Sequence, residues 1–197
     1  MYKRQIFASP DDDAPRLVYA DWLLEQGDPR GEFIHLQIQR SALKHGSSPA
    51  QRIRKRELEL QREHEAEWAG PVADLVDRYE FRRGFVSHIG LALSRFLRSA
   101  DEIFQYVPID SLFLRRGGSN IRKLFEVSHL KKVRSLTLRR SRLDAPAVRA
   151  LRDCGHFDSL RHAEFEQCGL TPEGCHILAG TNLPSLESLD LSGNTPV

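Results

Sequence analysis

An apolar-x-x-apolar-x-apolar hexad recurs five times in the second half of this chain. The copies are Val86-x-x-Ile89-x-Leu91, Ile109-x-x-Leu112-x-Leu114, Val133-x-x-Leu136-x-Leu138, Leu160-x-x-Ala163-x-Phe165 and Leu186-x-x-Leu189-x-Leu191. Successive copies start 23, 24, 27 and 26 residues apart. Self-similarity at such a period predicts a solenoid of stacked supersecondary units. The alternation inside each hexad predicts a strand whose apolar positions face the core and whose intervening positions face outward. Leu136 and Leu189 are therefore expected to be buried, and Thr137 and Asp190 exposed.

The segments between hexads carry helix signatures. Ser99-x-x-Glu102 reads as a capping box ahead of Ile103 and Phe104. Asp144 precedes Ala147, Val148 and Leu151. Thr171 can cap, Pro172 can start and Gly180 can close a further helix. Strand and helix thus alternate, and the expected class is α/β, with parallel strands on one face and helices on the other.

The first half reads differently. Asp12 or Asp13 can cap a helix that carries Leu17, Ala20 and Leu24 on one face and ends at Gly27. Asp28 and Pro29 open a second helix bearing Phe33, Ile34, Leu36 and Ile38, which makes an αα-hairpin. Residues 41–49 read as a loop. Residues 50–68 form a polar helix with few large apolar residues (Ile53, Leu58, Leu60 and Trp68), stopped by Gly70-Pro71. Trp22 and Trp68 are both expected as core anchors.

Two resemblances follow from these residues. The run from Asp11 to Leu23, followed by Gly27-Asp28-Pro29-Arg30-Gly31-Glu32-Phe33-Ile34 and Leu36-Gln37, resembles the bacterial repeat-companion domain. That resemblance implies a helical module with no assigned catalytic residues, and a helix before the Asp-rich turn that Ile6, Phe7 and Ala8 fit and residues 1–5 do not. The hexads resemble leucine-rich repeats of the ribonuclease-inhibitor-like class. In that pattern the ninth position (Ser94, Gly117, Ser141, Cys168, Asn194) turns inward to bond loop backbone, and an apolar residue stands at the eleventh. The implied organisation is a helical module over 1–46, a helical connector or N-terminal cap over 47–80 and repeats over 81–197. With no capping segment after the last strand, the array is expected to continue beyond residue 197.

Composition changes the picture in two ways. The net charge of +2 hides a segregation: residues 78–140 carry 14 basic and 5 acidic side chains, while residues 141–197 carry 4 and 8. The chain has three cysteines, an odd and low number that fits a reducing cytoplasm rather than a disulfide framework. No apolar run is long enough for a membrane span, and no apolar stretch of a secretory signal follows the basic N-terminus.

The charge segregation meets the predicted register on the outward face. The fifth hexad position gives the row Gly90, Phe113, Thr137, Glu164, Asp190. The seventh gives Ala92, Arg115, Arg139, Glu166, Ser192, and the eighth gives Leu93, Arg116, Arg140, Gln167, Gly193. Neighbouring parallel strands lie ~4.8 Å apart, so the four arginines crowd one another. Their compensation is either internal, with Arg139 pairing Glu166, or supplied by an acidic protein partner anchored on Phe113. The candidate partner-binding residues are Phe113, Arg115, Arg116, Thr137, Arg139, Arg140, Glu164 and Glu166. The acidic neighbours disfavour a long nucleic-acid backbone.

Catalytic and metal chemistry find little support. Asp11, Asp12, Asp13, Asp21 and Asp28 match no cation-loop spacing. Cys154, His156, Cys168, Cys175 and His176 lack paired zinc spacings. There is no phosphate loop and no nucleophile elbow. The expectation is a cytoplasmic, non-catalytic interaction scaffold without metal or cofactor. Its rival is a regulatory or substrate-binding portion of a larger enzyme whose catalytic part lies outside this chain.

Overall fold

The computed structural model describes residues 2–9 and 12–194. It is a mixed α/β structure built on one six-stranded sheet whose spatial order follows the chain. The helices α1 (Tyr2–Ala8), α2 (Ala14–Glu25), α3 (Arg30–Ser41), α4 (Ser48–Ala69) and α5 (Val72–Leu75) come first. The hairpin of β1 (Arg78–Arg82) and β2 (Phe85–Ala92) follows, and then α6 (Leu93–Tyr106) and β3 (Ser111–Arg115). A 3-10 turn (Gly118–Asn120), α7 (Ile121–Leu124) and a second 3-10 turn (Ser128–Lys132) lead to β4 (Ser135–Arg139). The remainder is α8 (Ala145–Asp153), β5 (His162–Glu166), α9 (Pro172–Ala179) and β6 (Ser188–Asp190).

Strands β2 to β6 are parallel and lie in the register predicted by the hexads: Ile89, Leu112, Leu136, Ala163 and Leu189 form one cross-strand row. From β2 to β5 these residues are buried, as are Leu91, Leu114, Leu138 and Phe165 of the parallel row. Residues of α6, α7, α8 and α9 share that core, which covers the sheet on its apolar side. Burying a leucine or isoleucine side chain contributes about 1.5–3 kcal/mol, so these rows are the main driving force for the stack.

Three of the five ninth-position residues stitch the turns as expected, whereas Ser94 lies exposed within α6 and Gly117 has no side chain to turn inward. Asn194 Oδ1 accepts the N–H groups of Cys168 (2.7 Å) and Leu170 (3.3 Å), and its Nδ2 donates to the carbonyls of Phe165 and Leu191. Ser141 Oγ accepts the Gly117 N–H at 3.1 Å. A side chain at 117 would collide with Ser141, which explains the glycine there. Buried Cys168 donates through Sγ to the Leu138 carbonyl, and burial pushes its thiol up to about 11. Asp144 and Thr171 cap α8 and α9 by accepting the N–H groups of Ala147 and Gly174.

Several expectations are corrected. Ser99 does not cap a helix: α6 already starts at Leu93, and Ser99 Oγ donates to the Arg95 carbonyl inside it. The reason lies at the eighth position. Arg116, Arg140, Gln167 and Gly193 take positive φ of 59°, 51°, 53° and 70° and turn the chain away from the strand, whereas Leu93 does not, and the helix follows directly. Residues 2–5 are helical, within α1. The predicted loop over 41–49 is shorter, because Ser47 caps α4 and Ser48 and Pro49 form its first turn. Trp22 is 41% exposed and stacks on Tyr19 at 5.9 Å, while Trp68 is buried against Phe33. Leu189 is 43% exposed, since β6 has a strand on one side only among the described residues. Thr137 is half-buried rather than exposed, because its hydroxyl donates to Glu164 Oε2 at 3.2 Å. Asp11 and residues 195–197 lie outside the described residues.

The division at residue 80 falls inside β1, which pairs antiparallel with β2. The helical half and the sheet also share packing. Phe33, Leu60 and Trp68 belong to the main core, and Ile6, Tyr19, Ala20, Leu23 and Ile34 close over Phe85. A buried polar joint holds the hairpin in place. Gln37 donates to Glu57 Oε1 (2.8 Å) and accepts the Gly84 N–H (2.7 Å), while Arg40 Nε donates to Glu57 Oε2 (2.5 Å). Gly84 has φ of 82°, and a Cβ there would strike Ile34.

Leu136→Ala is expected to cost about 2–5 kcal/mol, the range for a buried leucine that leaves a cavity. Leu189→Ala is expected to cost about 1 kcal/mol or less. Urea unfolding of both variants checks this, and equal losses would contradict the register.

Candidate functional site

The candidate site is the outward face of β2 to β5. Strand register places Phe113 beside Thr137 and Thr137 beside Glu164, and places Arg115 beside Arg139 and Arg139 beside Glu166. Six of the eight candidate residues therefore form two adjacent rows. Arg116 and Arg140 sit just past the strand ends in the left-handed conformation and are exposed.

The strand before these rows contributes residues that the hexads do not contain. Arg78 of β1 lies opposite Gly90, and its guanidinium stands 3.8 Å from the centroid of the Phe113 ring. Any side chain at position 90 would collide with Arg78. Phe113 is thus half-buried beneath a cation, a contact worth about 0.5–1 kcal/mol at an exposed site. Asp77 bridges Arg95 Nη1 (3.0 Å) and Arg115 Nη2 (2.7 Å). These contacts, the Arg115 hydrogen bond foremost, hold its carboxyl below the usual range.

The other arginines also have neighbours. Arg139 Nε lies 3.1 Å from Glu166 Oε2, an ion pair by distance whose angle is too poor for a hydrogen bond. Arg140 Nε donates to Gln167 Oε1 at 3.0 Å. Arg116 has no side-chain partner among the described residues. Carboxylates therefore compensate two of the four arginines, Arg115 and Arg139, while Arg140 meets only a neutral amide. The face is basic over β3 and β4 and acidic over β5 and β6, where Glu164, Glu166 and Asp190 stand.

One further row lies at the third hexad position: His88, Ser111, Ser135, His162 and Ser188. His88 Nδ1 is 2.7 Å from Ser111 Oγ, and His162 Nδ1 is 3.1 Å from Ser188 Oγ. Burial lowers the pKa of His88, opposed by the Glu80 charge and assisted by Arg82 and Arg78. The thiol of Cys154 is pushed up by burial, like that of Cys168, so both stay protonated at neutral pH. Among the described residues no group of three or more His, Cys, Asp or Glu side chains could hold a metal ion. Among them, too, no helix is long and apolar enough to cross a membrane.

Arg78, Asp77 and Arg95 escaped the sequence reading because they precede the first hexad or lie on a helix. The signal was present in Gly90, the one glycine of the outward fifth-position row. Comparison with protein-family profiles, with curated proteins and with solved structures returns no match.

The lowered pKa of His88 means that the unfolded chain binds its proton more readily. Its contribution to stability is complete above about pH 6.5, the ordinary value, and is lost as pH falls through the folded value. Replacing it by glutamine is expected to flatten the fall in stability between pH 7.5 and 5, read by urea unfolding at both. An unchanged pH slope would remove His88 as a contributor.

Proposed function

We propose that this chain is a non-catalytic protein-interaction scaffold: leucine-rich-repeat-like strands, preceded by a repeat-companion-like helical module, recognise a protein partner through their outward face. The observation that carries the reading is the continuous registered face from Phe113 to Glu166. It offers an aromatic flanked by arginines, the residue types enriched at interface hot spots. It also offers a charge gradient, which gives a partner both orientation and register.

The internal ion pairs are compatible with binding. Exposed pairs contribute about 0–1 kcal/mol, so a partner carboxylate can take over Arg139 from Glu166, or Arg115 from Asp77, at small cost. The partner surface facing β3 and β4 is acidic in this reading, and the surface facing β5 is basic. The three free thiols support a reducing, cytoplasmic setting.

A photocrosslinking amino acid at position 137 is expected to trap a partner that the same group at position 149, on α8, does not. The trapped protein should bind Arg139→Glu at least tenfold more weakly, and should bind the unaltered chain more weakly as salt rises. The melting temperature of Arg139→Glu should stay within about 4 °C of the parent, as loss of one surface pair requires. Equal trapping at both positions, or unchanged affinity in the folded variant, would contradict the proposal.

A further inference from the structure

The edge of the sheet where the parallel strands begin carries a second charged row. Ser87, Asp110, Arg134, Arg161 and Glu187 occupy the second hexad position in successive copies. Backbone bonds align them: the N–H of Asp110 donates to the Ser87 carbonyl (3.0 Å), Arg134 to Asp110 (2.8 Å), Arg161 to Arg134 (2.7 Å) and Glu187 to Arg161 (2.8 Å). Because β1 runs antiparallel, its end brings Arg82 and Arg83 to the same edge. The last turn of α3 closes the opposite side with Arg40. Between them lies a cleft of about 510 Å³ lined by Arg40, Arg82, Arg83, Arg134, Arg161 and Asp110. That volume falls in the ~300–1,000 Å³ range of small-molecule sites.

Carboxylates stand beside several of these arginines. Glu57 takes Nε and Nη2 of Arg40, and Glu187 takes Nη1 of Arg161. Glu80 stands 4.0 Å from Arg82, and Asp13 3.3 Å from Arg83. A guanidinium has five N–H donors in a planar fork, so Arg40, Arg82 and Arg161 retain donors beyond these contacts. Burial, reinforced by the Arg161 charge, lowers the pKa of Arg134. In the same cleft burial raises the pKa of Asp110, whose Oδ1 is buried with no hydrogen-bond partner. Guanidinium groups crowded around a cleft are relieved by an anion that accepts several forks at once.

We propose that this cleft binds a compact, multiply charged oxyanion: the pyrophosphate or phosphate-ester group of a small soluble ligand. The flanking carboxylates at 13, 57, 80 and 187 confine the site. An extended nucleic-acid backbone would run onto them.

Calorimetric titration of the whole chain with inorganic pyrophosphate, and separately with citrate, at 0.15 M salt tests the assignment. Saturable one-to-one pyrophosphate binding is expected, with citrate weaker. Arg82→Gln with Arg161→Gln should weaken pyrophosphate at least tenfold. Both side chains are about half exposed, so the fold should persist, as circular dichroism will check. Asp110→Asn, which removes the negative charge lining the cleft, should tighten binding several-fold. Arg139→Glu, on the outward face, should bind as the parent does, which separates this site from the protein-binding proposal. Absence of saturable binding, or equal affinity in the folded double variant, would overturn the site. Tighter binding of citrate would overturn its assignment to phosphate.

Discussion

Burial of the inward hexad rows on one side of a parallel sheet is the constraint on which the rest of this structure depends. Ile89, Leu112, Leu136 and Ala163, with Leu91, Leu114, Leu138 and Phe165 beside them, have to face the helices together. A slip of one residue would send a whole row to solvent and draw Arg115, Arg139 and Glu166 into the core. Apolar burial therefore sets the register, and the register aligns the charged side chains. Two charged rows, one on the outward face and one at the strand starts, are consequences of that single alignment.

Much of this was legible in the chain because a strand's period of two and a repeat of 23–27 residues leave few alternatives. The hexads located β2 to β6, and Asp144 and Thr171 marked two helix starts. What escaped detection depends on partners distant in sequence. Trp22 resembles a core residue by type, yet its neighbours Tyr19 and Tyr2 leave one face open. Ser99 has a capping pattern, but the preceding turn, which Leu93 does not make, decides where the helix begins. Strand β1 has no repeat signature and is recruited by pairing with β2. The row pattern identifies the candidate face and only one of its two ion pairs: Glu166 lies beside Arg139 in the same row, whereas Asp77, which pairs with Arg115, precedes the first hexad.

The helical half does more than precede the sheet. Gln37 donates to Glu57 and to the Phe81 carbonyl and accepts the Gly84 N–H in a buried site, and Gly84 leaves no room for a side chain against Ile34. A hydrogen bond to a charged group in such a site is worth about 1.5–3 kcal/mol, and leaving one partner unpaired costs a similar amount. This joint fixes β1, and β1 in turn supplies Arg78 over Phe113 and Arg82 at the cleft. Both proposed surfaces therefore rest on the placement of the same hairpin, although one faces outward from the strands and the other opens at their starting edge.

Backbone NOE contacts across the sheet test the register most directly. Contacts are expected between residues 113 and 137, between 137 and 164, and between 115 and 139, with the amides of Leu112, Leu136 and Leu138 strongly protected from exchange. Contacts of residue 113 with 136 or 138 in place of 137, or rapid exchange at Leu136 and Leu138, would contradict the alignment from which both surfaces follow.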